Sequence, residues 1–271
     1  RRDQRRDDET SSSSLWSSSS SWTTTGQRGG GHNGQFEAMH RRLYDMMIVV
    51  ERDDNETTTT TMRRRGRREY ALGAVPRSGG GLHDDDRMLL GRVYRDASSV
   101  FEFGLGESTL IASHVGVPRY SGVDSDPAWV KTAREMSSRE DNSSHFRFAF
   151  ADIGPTRAWG KPIDGADPKI PFSYQSAPLY GEVMPFDVYY VDGRYRVACL
   201  CASMLHAMDR GGDMSRILFG VHDWGRREYD VVLEVGDIVN RSSLLAIFRK
   251  KTTSTEDDIV RIWEEHVWQE K

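Results

Sequence analysis

The chain has 271 residues, 37% of them apolar, and a mean hydropathy of −0.64. That is long enough for one large domain or two small ones, but too polar for every segment to join a core. With 37 basic against 41 acidic residues, the formal charge of −4 gives no global attraction to nucleic acid or to an anionic membrane, and no nucleic-acid partner is expected. No run approaches the roughly eighteen apolar residues of a membrane-spanning helix.

In chain order, residues 1–81 read as a low-complexity, mostly disordered extension. Arg and Asp, then Ser, then Thr and Gly fill it as far as Asn33, and only Leu15, Trp16 and Trp22 could be buried. Such a stretch cannot offset the entropy of its own ordering. Within it, residues 36–51 carry Phe36, Met39, Leu43, Met46 and Val50 near helical spacing, predicting one short helix. The basic run from Met62 to Arg68 reads as a solvated linker.

From Leu82 the pattern changes, and residues 82–271 are expected to form one domain. Asp84 to Asp86 are placed to cap and charge the start of a helix. Strands are predicted at 100–103, 120–124, 145–150, 186–191 and 217–221, alternating with helices at 108–115, from Pro127, and at 195–208. A loop spans 154–185; it is rich in Pro, Gly and aromatics, and its length marks it as functional. Residues 237–239 and 244–248 are expected to pair as terminal strands before a closing helix at 256–269. Cys199 and Cys201 fall two apart on a helix, where their side chains diverge, so they read as core thiols rather than a disulfide or metal pair. That is compatible with a reducing compartment, and the cytoplasm is the default expectation.

Alternating strands and helices imply right-handed βαβ units. The fold class is α/β, a doubly wound, mainly parallel, Rossmann-like sheet with helices on both faces. In such sheets ligands lie beyond the carboxyl ends of the strands. Glu102 lies within the first strand, and Asp124, Asp152, Asp192 and Asp223 lie at the ends of the next four. Gly104 and Gly106 allow a tight turn and close backbone approach after the first strand. Asp124, at the tip of the second, suits both hydroxyls of a ribose. Together these residues predict a nucleoside-containing cofactor.

Glu102-Phe103-Gly104-Leu105-Gly106, with Ser108 two further on, resembles the first motif of the class I S-adenosylmethionine-dependent methyltransferases. The likeness covers residues 82–251. It implies that Glu102 engages the methionine end of S-adenosylmethionine, with the Gly104–Gly106 backbone beneath the cofactor. It further implies that Asp124 holds the ribose and that Asp152 sits near the adenine. The chain also looks like a small methyltransferase-like group bearing Asp152-Ile153-Gly154-Pro155-Thr156, Trp159-Gly160 and the string from Val191 to Cys199. Glu107 departs from the pattern and reads either as a partner for a sulfonium or as a helix cap. Ser108 replaces a third glycine. A nicotinamide-dependent oxidoreductase would need Gly at position 109, where Thr stands, and no Gly-Lys-Ser/Thr follows to make a phosphate loop.

The implied activity is O-methylation of a small-molecule or glycan-like acceptor; a non-catalytic binding protein of the same fold is the alternative. An acceptor hydroxyl must lose a proton, to a base or with help from a metal ion. Metal-dependent small-molecule O-methyltransferases place acids after the fourth and fifth strands, where Asp192, His222 and Asp223 stand, so these three could hold a divalent ion. Alternatively His222 is the general base, or Asp192 simply pairs with Arg194 or Arg196. Arg194 also offers a planar fork for a carboxylate or phosphate on the acceptor. Trp159, Tyr174 and Tyr180 are candidates for a lid.

Overall fold

A computed structural model of the chain describes residues 81–138, 146–157, 160–163 and 171–269. The expected extension, its helix at 36–51 and its basic run lie outside these residues, as does Trp159.

The elements follow the hydrophobic periodicity closely. Helix α1 (Asp84–Asp96) leads into β1 (Ser99–Phe103), α2 (Glu107–Val115), β2 (Arg119–Asp124), α3 (Pro127–Ser137) and β3 (Phe146–Phe150). A small hairpin of β4 (Thr156–Arg157) and β5 (Lys161–Pro162) precedes two short helices, α4 (Pro171–Gln175) and α5 (Ala177–Gly181). Then come β6 (Val188–Val191), α6 (Arg196–Asp209) and β7 (Leu218–Val221). A 3-10 helix (Arg227–Glu234), β8 (Gly236–Arg241), β9 (Ala246–Lys250) and α7 (Glu256–His266) complete the described chain. The segment 154–185 is thus no plain loop, because it carries β4, β5, α4 and α5.

Seven strands form one sheet in the order β3-β2-β1-β6-β7-β9-β8. The pairs from β3 across to β7 are parallel, while β9 runs antiparallel to β7 and to β8. The chain order therefore reverses between β1 and β6, which opens a crevice at their carboxyl ends. Asp187, just before β6, fixes this junction by accepting from the Ser98 and Ser99 amides at 2.7 and 3.1 Å.

Alternation along the strands loads the two faces differently. Val100, Tyr120, Val188, Tyr190 and Ile247 pack with Leu89, Tyr94, Ile111 and Val130 of α1, α2 and α3 in one apolar cluster. On the opposite face an aromatic chain links Phe101, Phe103, Phe186, Tyr189 and Phe219. Helix α6 is apolar nearly all round and buried, and its Cys199 and Cys201 are free, buried thiols. Two helix starts differ in chemistry. Asp126 caps α3 by accepting from Ala128 N at 2.8 Å, with Pro127 at the first helical position. Helix α1 starts after His83 with no side-chain cap, so Asp84 to Asp86 contribute charge in the first turn instead. Among the described residues no helix is long and apolar enough to cross a membrane.

Candidate functional site

Beyond β1 the backbone turns at Gly104, which has φ 86°. A Cβ at Gly104 would lie 2.6 Å from the Cα and N of Gly193, so the exits of β1 and β6 touch through two glycines. At Gly106 an added Cβ would meet nothing within 4 Å, leaving the space above the turn open. Asp124, at the end of β2, reaches back over this turn. Its carboxylate accepts from Leu105 N and Asp126 N, each at 2.8 Å. An ionised carboxylate has about four acceptor positions, so the group keeps acceptor capacity for a ligand. Burial pushes this carboxyl up to about 7, with the backbone amides of Leu105, Asp126 and Ser125 opposing.

Glu102 is placed differently from Asp124. It is fully buried and accepts from the Ser108 hydroxyl and from Thr109 Oγ1 at 2.8 Å. Burial raises its carboxyl to about 8. It does not line the cleft and instead ties the first turn of α2 to β1. Glu107, also buried, forms an ion pair with Arg87 of α1. Asp152 is exposed, accepts from Gly154 N at 2.8 Å, and likewise does not line the cleft.

The cleft measures about 890 Å³ and runs along the carboxyl ends of β1, β2, β6 and β7, within the range of small-molecule sites. Half-buried Trp129, in the first turn of α3, lines it near Asp124 and Ser125. The β4–β5 hairpin approaches through Gly160, where a Cβ would fall 2.7 Å from Ser125 Oγ. Tyr174 also lines the cleft but is only 1% exposed, and its hydroxyl fills the space where a Cβ of Gly193 would go. It is therefore a packed wall rather than a mobile lid. Tyr180 lies on α5 and does not line the cleft.

The far end of the cleft is charged. Arg196, at the start of α6, is 4% exposed and links Asp192 Oδ1 at 3.3 Å to Asp223 Oδ2 at 3.0 Å. It also donates to the carbonyls of His222 and Gly193. Arg226 takes the same Asp223 oxygen at 2.5 Å. His222 places Nδ1 3.0 Å from Asp192 Oδ1, and its Nε2 faces Asp86 Oδ2 at 3.6 Å. The other oxygen of Asp86 accepts from Ser242 Oγ, Leu244 N and Leu245 N at 2.6, 3.0 and 3.1 Å. Burial opposes charge on His222, yet the Asp192 hydrogen bond and the nearby carboxylates outweigh it and raise its pKa. Asp192 is held low in turn: burial works against it, and His222 and Arg196 prevail.

The sequence therefore brings Asp192, His222 and Asp223 together, but with a guanidinium already between the acids. A divalent cation there would meet Arg196 at close range, and the set does not fit one. Among the described residues no group of three or more His, Cys, Asp or Glu side chains is arranged to hold a metal ion. Arg194 lines the same end of the cleft, and its Nε is buried with no hydrogen-bond partner among the described residues. Pattern alone did not mark Trp129, the Tyr174–Gly193 contact or Asp86. A signal existed for Trp129, which follows the N-cap pair Asp126-Pro127 just after the ribose acid. None existed for Asp86, whose partners lie at positions 222 and 242–245.

Comparison with known proteins supports the architecture. No protein-family model matches the chain, and no curated protein matches it. Among solved structures it is similar to a methyltransferase-like protein from Silicibacter pomeroyi, at 22% identity and a TM-score of 0.59, over 69% of this chain and 96% of that one. The fold is that of the class I methyltransferases. An O-methyltransferase from Bacillus cereus, solved in complex with SAH, shows 12% identity and a TM-score of 0.40, over 72% of this chain and 73% of its own.

Proposed function

We propose that the chain is an S-adenosylmethionine-dependent methyltransferase acting on a hydroxyl of a small-molecule or glycan-like acceptor. The observation that carries the reading is Asp124. It is fixed over the Gly104–Gly106 turn by two backbone amides, with acceptor positions to spare, beside an open cleft at the β1/β6 switch point. A ribose diol fits that acceptor set, and the bare backbone at Gly106 leaves room for the adjoining chain of a nucleoside cofactor. Trp129 offers an aromatic face near Asp124 for the base. The buried Glu102 acts through the turn it braces, so the methionine-end role is better sought among residues that line the cleft.

When bound, S-adenosylmethionine supplies a methyl group activated by its sulfonium. At the other end of the cleft, Asp192 is the group to receive the acceptor hydroxyl. Among the described residues its Oδ2 carries only the Tyr190 hydroxyl, at 3.3 Å, while His222 and Arg196 take Oδ1. An alcohol oxygen that begins to bond carbon becomes a strong acid, so even a carboxylate with a depressed pKa can take its proton. The hydrogen bond and nearby charges of His222 and Arg196 outweigh burial and favour the ionised form of Asp192. Tyr174 and the hairpin exclude water from one side.

Calorimetry of the chain with S-adenosylmethionine, S-adenosylhomocysteine and NAD tests the cofactor. Heat with the first two only is expected, and Asp124→Ala should weaken S-adenosylhomocysteine tenfold or more, the scale of a charged hydrogen bond. Folded protein that gives no heat with either sulfur nucleoside would sink the proposal. A second reading, a binding protein that keeps the fold without catalysis, is favoured by the engagement of Asp192 and Asp223 by Arg196. Transfer of labelled methyl to a panel of hydroxylated small molecules and oligosaccharides separates the two.

A further inference from the structure

Among the described residues, the charged side chains at the strand ends of the cleft are matched, with Arg194 the exception; Lys161 of the hairpin also lines the cleft but is exposed to solvent. Glu107 pairs with Arg87, Asp192 with His222 and Arg196, and Asp223 with Arg196 and Arg226. Asp124 is held by backbone amides. Arg194 lines the same cleft, and its side chain makes no ion pair or hydrogen bond among the described residues, while its Nε is buried. Burial works against its charge first, the like charges of Arg196 and Arg226 add to that, and Tyr174 and Tyr229 offset only part of it. A buried guanidinium donor with no acceptor is unfavourable in the free protein. Its fork suits a planar oxyanion, which it can bind in bidentate fashion.

We infer that Arg194 is the anchor of a carboxylate subsite in the cleft, filled only when ligand binds. Two ligands present this chemistry, the amino-acid carboxylate of the cofactor and an acid group on the acceptor. The cofactor arm rests on the methyltransferase reading above; the subsite itself does not. Arg194 lies one residue beyond Gly193, whose backbone touches the Gly104 turn, so both sources are within its compass.

Two variants test the subsite, Arg194→Gln, which removes the charge, and Arg194→Lys, which keeps the charge but loses the fork. Neither breaks a bond to the protein, so both should melt within about 2 °C of the wild type. S-Adenosylhomocysteine carries the amino-acid carboxylate and 5′-methylthioadenosine lacks it. If the cofactor fills the subsite, Arg194→Gln weakens the first by tenfold or more, leaves the second within twofold, and Arg194→Lys recovers part of the loss. If the acceptor fills it, both nucleosides bind the variant normally. Benzoate, titrated with and without nucleoside, then binds the wild type and not Arg194→Gln. Unchanged affinity of Arg194→Gln for S-adenosylhomocysteine together with unchanged or absent benzoate binding overturns the inference. Should neither nucleoside bind the wild type, the methyltransferase reading fails, and the benzoate comparison alone decides the subsite.

Discussion

Three buried ionisable groups near the sheet carry opposite perturbations, each with a visible cause. Burial raises Glu102 to about 8, and the Ser108 and Thr109 hydroxyls offset only part of that rise. Between its unfolded value near 4.5 and about 8, the folded state binds the extra proton. By linkage, stability then falls as pH rises through that window. Glu102→Gln removes the penalty, so it should melt at least about 3 °C above wild type at pH 8. The gap should close toward pH 4, as scanning calorimetry would show. His206 is the reverse case for a base: burial lowers it to about 4, and as a neutral ring it joins the Tyr189 hydroxyl at 2.6 Å to the Glu182 carbonyl at 3.1 Å. His222 is raised instead, because carboxylates flank it. Its contribution to stability is complete below its unfolded value near 6.5 and is lost as pH rises through the higher folded one. An NMR titration should therefore find the His222 imidazole above 6.5, and Asp192→Asn should bring it down. His222→Asn should destabilise more at pH 6 than at pH 9. The acids at the strand ends were legible because they follow apolar runs directly. Asp86 was legible only as a helix-start charge, since its contact with His222 depends on a pairing far along the chain.

At the level of elements, Arg196 decides how β6 and β7 end together. It joins Asp192, after β6, to Asp223, after β7, and also holds the carbonyls of Gly193 and His222. Tyr195 and Asp223 adopt positive φ, 53° and 58°, on either side of this clamp. Non-glycine residues seldom take that conformation unless their surroundings hold them there. Removing one partner of a buried pair leaves uncompensated charge and typically costs 3–5 kcal/mol. Arg196→Gln should lose about that much in urea unfolding, whereas Arg194→Gln should lose almost nothing. The two arginines stand at alternate positions in one string, and sequence could not say which would clamp and which would face the cleft. Strand positions were readable to within two residues or so because alternation marks them. The β4–β5 hairpin and helices α4 and α5 were not. They are short, and contacts distant in sequence seat them, such as Gly160 against Ser125 and Gln175 Nε2 on the Val267 carbonyl at 2.6 Å.

For the whole molecule, the sheet order makes the cleft and the core consequences of one another. The reversal at β1 and β6 leaves the carboxyl ends of both strands uncovered, while helices close both faces beneath them. One apolar cluster runs from Leu82 at the start of the described chain to Ile247 in β9. Burial extends to Val267, beyond α7. Such a core, complete from Leu82 onward, has no evident need of the sequence before residue 78, whose first 33 residues offer only Leu15, Trp16 and Trp22 to bury. Gly81 and Leu82 nevertheless line the cleft, so the chain enters the domain beside the site. A protein beginning at Ser78 should accordingly melt within about 2 °C of the full chain and bind S-adenosylhomocysteine within twofold of it. A lower melting temperature would make the extension part of the fold. An unchanged melting temperature with weakened nucleoside binding would place the extension's role at the cleft, where Gly81 and Leu82 already stand.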